Sequence, residues 1–149
     1  ALYIGLPLLI LGVIAIPNLL RSRMAGDGSP VGDLRTINTA QITYASIYNA
    51  GYSPSLAALG PPAPGSPPSA TAAGLIDEWL ASGVKRGYRI EYKPGPIENG
   101  RIDTYTLTSR PIRYGCRGMT GSYFTDQSGV IRWTDENRRA TAQDPPLPQ

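Results

Sequence analysis

The first twenty residues of the chain form one apolar stretch, Ala1–Leu20, that contains no charged side chain. A helix of this length spans about 30 Å, roughly the thickness of a bilayer core. Arg21 and Arg23 follow at once and mark the polar end of the stretch. A cleaved signal peptide would carry its basic residues before the apolar run, so this order favours a retained membrane or core helix. We therefore predict an apolar N-terminal helix over residues 1–25.

Two prolines interrupt the hydrogen bonds expected within this apolar helix. Pro7 and Pro17 have no backbone N–H, and their rings crowd the carbonyl groups four residues earlier, those of Tyr3 and Val13. Gly12 lowers the helix propensity just upstream of Pro17. The spacing favours a kinked anchor, and it predicts that the backbone between Gly12 and Pro17 is bent or non-helical in an assembled form.

A second, amphipathic helical half is predicted within residues 26–59. Ser29 stands where an N-cap belongs, Pro30 takes the first helical position, and Asp33 lies in the first turn, facing the positive end of the helix dipole. A half-apolar stripe then recurs at three- and four-residue steps and comprises Val31, Leu34, Ile37, Gln41, Tyr44, Ala45 and Tyr48. Such a stripe is typical of a helix that lies on a sheet, and Gly51 is expected to end it.

The remaining residues, 60–149, are predicted to form a globular head. It begins with the uncharged loop Gly60–Ala73 and a short helix at Leu75–Ser82. Alternating positions then predict strands at Tyr88–Tyr92, Thr104–Ser109, Ser122–Thr125 and Val130–Thr134, and Asn99-Gly100 predicts a hairpin turn. The sequence thus predicts an α+β fold in which a long N-terminal helix, with an apolar half and an amphipathic half, packs on a small antiparallel β-meander head.

The amino-acid composition excludes several classes of catalytic and metal site. The chain is 41% hydrophobic and 17% charged, with a formal net charge of +3. It has no His and one Cys, which excludes His-dependent triads, His-containing zinc sites and an internal disulfide. The charges are scattered rather than striped, so no nucleic-acid partner is predicted. We expect no enzymatic activity, no cofactor and no metal.

Three local groups of residues could carry chemistry, but each has a simpler interpretation. Asp77 and Glu78 are adjacent on the predicted short helix and do not converge, so a solvated face is favoured over paired catalytic acids. The turn Asp126–Gly129 offers one carboxylate, too few oxygens for a calcium cage. Cys116 stands beside the cation of Arg117, but without a His it lacks the usual base, and a structural or intermolecularly paired Cys is favoured. We expect the fold not to depend on it.

Two segments resemble a known protein family. The stretch AIPNLLRSRMA at Ala15–Ala25 and the helical pattern at Val31–Leu56 are similar to the N-terminal helix of bacterial type IV pilins and the related type II secretion pseudopilins. The resemblance implies an apolar helix in the core of a filament and an amphipathic half packed on a head. Members of this family carry a glutamate five residues into the mature chain. Aligned on Pro17, this chain has no counterpart of that glutamate, and aligned from its start it has Gly5 there. The carboxylate that normally pairs with a neighbour's N-terminal amine is therefore missing.

The resemblance implies a structural protein, the major pilin-like subunit of a type IV pilus-like filament (a fimbrium). Its partners would be further copies of the chain in a helical homopolymer, the pilus or secretion assembly machinery, and the inner membrane before assembly. The alternatives are a type II secretion pseudopilin and a membrane-anchored or tip protein that does not polymerise. Roles in adhesion and motility stay open.

Assembly without the family glutamate needs another partner for the N-terminal amine, because an unpaired ammonium in an apolar core costs several kcal/mol. We expect the Ala1 amine to reach the carbonyl groups freed by Pro7 or Pro17 on a neighbouring subunit. The residues predicted to mediate assembly are Ala1, Tyr3, Pro7, Gly12, Val13 and Pro17.

Overall fold

The long helix of the head, α1, spans Pro30–Tyr48, and local signals set both of its ends. A computed structural model describes residues 29–148 of the chain. Ser29 has an extended backbone, and its side-chain oxygen accepts a hydrogen bond from the N–H of Gly32 at 3.0 Å. Pro30 then takes the first helical position, where a backbone N–H would have no partner within the helix. Asn49 ends the helix in the left-handed conformation, with φ 56°.

Five antiparallel strands form the main sheet, in the spatial order β1-β2-β5-β6-β7. Their bounds are β1 Val84–Lys85, β2 Tyr88–Pro94, β5 Tyr105–Pro111, β6 Ser122–Asp126 and β7 Arg132–Thr134. Between β2 and β5 the chain makes a separate hairpin of β3 (Ile97–Glu98) and β4 (Arg101–Ile102). A five-residue helix, α2 (Glu78–Ser82), precedes β1 and ends at Gly83. The four predicted strands are present, with bounds shifted by a few residues.

The predicted hairpin turn at Asn99-Gly100 is confirmed. Both residues have positive φ, 53° and 74°, which is the backbone that a two-residue turn of this kind requires. A second two-residue turn joins β1 to β2 at Arg86 and Gly87, again with positive φ at both positions. Two such turns, at opposite ends of β2, fix the register of the strands on either side of it.

The predicted long N-terminal helix with two halves is wrong as a description of the fold. The described residues contain one long helix, α1, beside a mostly antiparallel sheet of five strands. Pro30 disfavours a helical backbone at the residue before it, and Ser29 accordingly is extended and caps α1. The helix therefore begins at Pro30, and it ends at Tyr48 rather than at Gly51. The predicted apolar half lies outside the described residues.

The hydrophobic core lies between α1 and the inner face of the sheet. Leu34 and Ile37 on α1 are fully buried, and so is Leu107 at the centre of β5. The loop after α1 closes the far side of the helix with Leu56 and Leu59. The other apolar members of this core are Ala40, Tyr44, Ala73, Leu75, Ile76, Leu80, Ile90, Tyr105 and Ile131.

Polar side chains of α1 are also buried, because they bind the elements on either side of the helix. The Asn38 amide donates to Thr125 Oγ1 at 3.0 Å and accepts from the Tyr105 hydroxyl at 2.7 Å. On the other side, Gln41 donates to Ser53 Oγ at 2.8 Å and accepts from the Ser53 N–H at 2.9 Å. These bonds connect α1 to the sheet and to the following loop, so the helix is enclosed by both.

Residues 135–148, which we call the outer strap, run along the edge at β7 and over part of the outer face of the sheet. The Leu147 N–H donates to the Ile131 carbonyl at 2.8 Å, so the strap pairs alongside the edge at β7. Arg139 on the strap contacts Glu91 of β2 at 2.9 Å. A bidentate pair closes the strap on itself, with the Arg138 guanidinium at 2.6 and 2.9 Å from the two Asp144 oxygens. One face of the sheet is thus packed against α1, while the outer face is covered only in part, since Lys93 and Thr106 remain exposed on it.

Candidate functional site

The six residues predicted to mediate assembly do not lie in the described part of the chain. They are Ala1, Tyr3, Pro7, Gly12, Val13 and Pro17, and all precede Ser29. The expected contact of the Ala1 amine with freed carbonyl groups, and the expected bend between Gly12 and Pro17, thus concern residues outside the structural description. Both remain predictions.

Within the described residues, the densest group of interacting charges lies at the first turn of α1. The carboxylate of Asp33 is 3.4 Å from the Lys85 ammonium and 3.6 Å from the Arg86 guanidinium. Lys85 also contacts Asp77, which caps α2, at 2.6 Å. The side chains of Asp33 and Lys85 are only 5% and 9% exposed. We call these four residues the ion cluster; it joins the start of α1 to α2 and β1.

Burial dominates the electrostatics of Asp33. Loss of hydration raises the pKa of this carboxyl above its ordinary value, although the positive charges of Lys85 and Arg86 act in the opposite direction. The ion cluster therefore compensates only part of what burial costs. The buried pair of Asp33 and Lys85 specifies that the start of α1 packs beside β1. It contributes less to the net stability of the fold than its short distance suggests.

Two adjoining grooves open beside the ion cluster. The first has a volume of about 530 Å³ and is lined by the exposed side chains of Trp79 and Val84 together with Lys85 and Arg86. The second, of about 580 Å³, is bordered by Arg86, Ile112, Arg113, Cys116, Arg117 and Met119. Arg86 borders both grooves, so they form one continuous surface. We call it the basic end surface.

The basic end surface combines fixed positive charge with exposed apolar groups. Trp79 is 63% exposed and Ile112 is 46% exposed, so each groove presents a large apolar side chain to solvent. Arg113 and Arg117 lie in the exposed turn after β5. Neither forms an ion pair with any acidic side chain among residues 29–148. The Arg117 backbone is left-handed, with φ 54°. Such a surface suits a partner that offers negative charge beside apolar material.

The prediction of a solvated acidic face on the short helix is right for Glu78 and wrong for Asp77. Glu78 is exposed. Asp77 instead caps α2, with its Oδ1 accepting from the Leu80 N–H at 2.8 Å while its Oδ2 binds Lys85. The two carboxylates are used differently, so they do not act as a pair.

The two other candidate groups have structural roles or none. Asp126 accepts hydrogen bonds from the N–H and the hydroxyl of Ser128, at 2.9 and 2.5 Å, which uses its carboxylate to hold the turn. Cys116 is an exposed free thiol in the turn at the basic end surface. Among residues 29–148, no group of three or more Cys, Asp or Glu side chains is arranged to hold a metal ion.

Sequence reasoning missed the ion cluster and the basic end surface. Lys85 lies in a two-residue strand, β1, that is too short to show an alternating pattern. Arg86 and Gly87 form a turn without the Asn-Gly or Asp-Gly pair that marks such turns most clearly. The one local hint in the sequence is Trp79, two residues after Asp77 on the predicted short helix, and it does not indicate Lys85 or Arg86.

Comparison of the chain with protein-family models, with curated proteins and with solved structures found no match. Of the helices that the structure describes, neither α1 nor α2 has the length and apolar character needed to cross a membrane.

Proposed function

We propose that this protein is a pilin-like structural subunit that is held in a membrane by its apolar segment and assembles into a filament through that segment. The observation that carries this proposal is an uncharged run of twenty residues, Ala1–Leu20, attached to a head that is already complete without it. The head supplies the outer layer of the filament, and the apolar segments supply its core.

The packing of the head supports the proposal because it leaves little apolar surface for the run to cover. The inner face of the sheet is filled by α1 and the outer face carries the outer strap. The large hydrophobic side chains exposed on the described residues are few. Three of them, Trp79, Val84 and Ile112, lie on the basic end surface, and the others are Ile42, Ile97 and Tyr114. A run of twenty residues without charge needs a larger apolar surface, which lipid or copies of the same run provide.

The energy available from such burial is sufficient for assembly. Covering several hundred Å² of apolar surface per subunit, at ~25 cal/mol per Å², contributes on the order of 10 kcal/mol before the costs of association. A single charge placed within the run would remove several kcal/mol of this, since an unpaired buried charge is strongly unfavourable.

The test is electron microscopy of the purified full chain after removal of detergent. The wild-type chain should form filaments, and the variant Leu9→Lys, which introduces a charge into the run, should not. The matched control is Ile97→Lys, because Ile97 is 72% exposed on the β3–β4 hairpin and the same change there leaves the run intact. All three proteins should show the same circular dichroism from the folded head.

The other outcomes separate the alternatives. A wild-type chain that enters membranes but never forms filaments favours the anchored or tip protein. Short assemblies that form only with secretion components favour the pseudopilin. Filaments formed equally well by Leu9→Lys contradict the proposal, because they mean that the run is not buried in the core.

A further inference from the structure

We propose that the basic end surface is a membrane-contact surface that binds the anionic headgroups of phospholipids while the subunit is still unassembled. This inference rests on the proposed function, which holds the subunit in a bilayer through Ala1–Leu20. It adds to it a second contact, made by the head itself, and names the chemistry that this contact recognises.

The position of the surface is the first argument. Arg86 borders both grooves and contacts Asp33 in the first turn of α1, so the surface lies at the end of the head where residue 28 joins Ser29. The β3–β4 hairpin lies at the opposite end, since Arg101 of β4 donates to the carbonyl of Asn49 just beyond the last turn of α1. The surface therefore lies at the end of the head nearest the apolar run.

The reach of the chain keeps this end close to the bilayer. Arg23 is the last basic residue before α1. A short stretch with two glycines separates it from Pro30. Even a fully extended backbone spans only ~3.5 Å per residue, so Arg23 lies within about 25 Å of the start of α1. A head tethered this closely can rest its near end on the headgroup layer.

The side chains of the surface match the interfacial layer of a bilayer. Trp is enriched at the depth of the headgroups, where its ring contacts acyl chains and its N–H stays hydrated. Trp79 is well exposed, and Ile112 and Met119 add apolar contact beside it. The ion cluster is internally balanced, with two cations and two carboxylates, so Arg113 and Arg117 contribute positive charge beyond it. Phosphate groups of anionic lipids are the complementary partner.

The rest of the described surface does not offer this combination. The groove bordered by Arg89, Arg110 and Arg139 on the outer face also contains Glu91, which pairs with Arg139 at 2.9 Å. Near the opposite end, Arg101 lies 3.5 Å from Asp103. Arg101 and Arg139 are therefore paired, whereas Arg89 and Arg110 form no ion pair among the described residues. What sets the basic end surface apart is that its unpaired arginines lie on the same surface as an exposed tryptophan, which the outer-face groove lacks.

The experiment uses the full chain in vesicles and reads the environment of Trp79. In a Trp133→Phe background Trp79 is the sole tryptophan, since the chain has two. The vesicles consist either of phosphatidylcholine alone or of phosphatidylcholine with phosphatidylglycerol, each with brominated acyl chains that quench a nearby indole. We expect stronger quenching of Trp79 in the vesicles with phosphatidylglycerol, and a loss of the difference at high salt.

Charge variants then test the headgroup contact. Each arginine near an anionic surface is expected to change the ratio of bound to unbound heads about fivefold, so Arg113→Gln/Arg117→Gln should largely remove the preference for phosphatidylglycerol. The matched control is Arg101→Gln at the opposite end, which should leave quenching unchanged. The reciprocal variant, Trp79→Phe, retains only Trp133 on β7, and its fluorescence should not be quenched. If Trp133→Phe does not fold, Trp133→Tyr takes its place as the background.

Flotation of the same vesicles separates this inference from the proposed function. A chain that floats with the vesicles while Trp79 is not quenched overturns the membrane-contact surface and leaves the anchoring intact. Equal quenching in both lipids, unaffected by the arginine variants, overturns the recognition of anionic headgroups. A chain that does not float with either vesicle overturns both proposals.

Discussion

Replacing Lys85 by Met is expected to destabilise the head by removing one partner of the buried ion cluster. The Lys85 ammonium contacts Asp33 at 3.4 Å and Asp77 at 2.6 Å, and its side chain is 9% exposed. Without it, the buried Asp33 carboxylate retains only Arg86, at 3.6 Å, as a cation. Breaking a buried pair costs about 3–5 kcal/mol, and because Arg86 remains we expect about 2–3 kcal/mol near neutral pH.

The size of this loss should depend on pH. Burial raises the pKa of Asp33 above 3.8, so the folded protein holds the proton more tightly than the unfolded chain does, and stability falls as pH rises through this interval. Removing Lys85 raises the pKa of Asp33 further and widens the interval. The variant should therefore lose about 1.4 kcal/mol more for each added unit of pKa, and it should approach wild-type stability in acid.

The assay is urea unfolding of the full chain in mild detergent, followed by circular dichroism from about pH 4 to pH 8. The double variant Asp33→Asn/Lys85→Met also removes the buried carboxylate that has lost its partner. It should recover most of the free energy of unfolding, and this site should no longer make that free energy depend on pH. Lys93→Met is the matched control, because Lys93 is exposed on β2 and forms no ion pair among residues 29–148. A Lys85→Met variant that is as stable as wild type near neutral pH, or that Asp33→Asn does not rescue, would refute the reasoning.

Two further predictions concern the backbone and the outer strap. Gly51→Ala should lower the free energy of unfolding in urea by at least ~2 kcal/mol, because φ is 78° and the new Cβ would lie 2.1 Å from the Ile102 carbonyl oxygen. The control Gly129→Ala has φ 79° but open space around the new Cβ, so it should lower the free energy of unfolding by only ~1 kcal/mol. Arg138→Ala should release the strap, so that limited proteolysis cleaves residues 135–148 faster than in wild type. Arg138 holds the pKa of Asp144 well below its usual range, so this stabilisation is lost as pH falls, and wild-type cleavage should rise in acid. A strap that resists protease equally in variant and wild type would contradict the role of the pair.

Local signals in the sequence predict the elements of the head well. Ser29 followed by Pro30 predicts the start of α1 because the cap and the fixed φ of proline act within a few residues. Asn99-Gly100 predicts its turn for the same reason. The same cap, however, argues against one helix continuing from the apolar run, and the resemblance outweighed it in the prediction of a single long helix.

The parts that were not predicted depend on contacts between distant residues. From the sequence, Asp33 is expected to be a surface residue in the first turn of a helix. Its contact with Lys85, fifty-two residues later in the chain, forms only when the protein folds. The outer strap has no periodic pattern, because its contacts are a hydrogen-bonded edge and the pair of Arg138 with Asp144. The basic end surface combines residues from α2, from the turn between β1 and β2, and from the turn after β5, so no single window of sequence contains it.

The outer strap also has a consequence for how the head is made. Because synthesis proceeds from the N-terminus, every strand of the sheet is made before the residues of the outer strap. The edge at β7 stays without its backbone partners until residues 135–148 arrive. A nascent head is thus most exposed to aggregation or to a bound chaperone just before the strap closes. Truncations within these few residues should therefore reduce the yield of folded protein more than their length suggests.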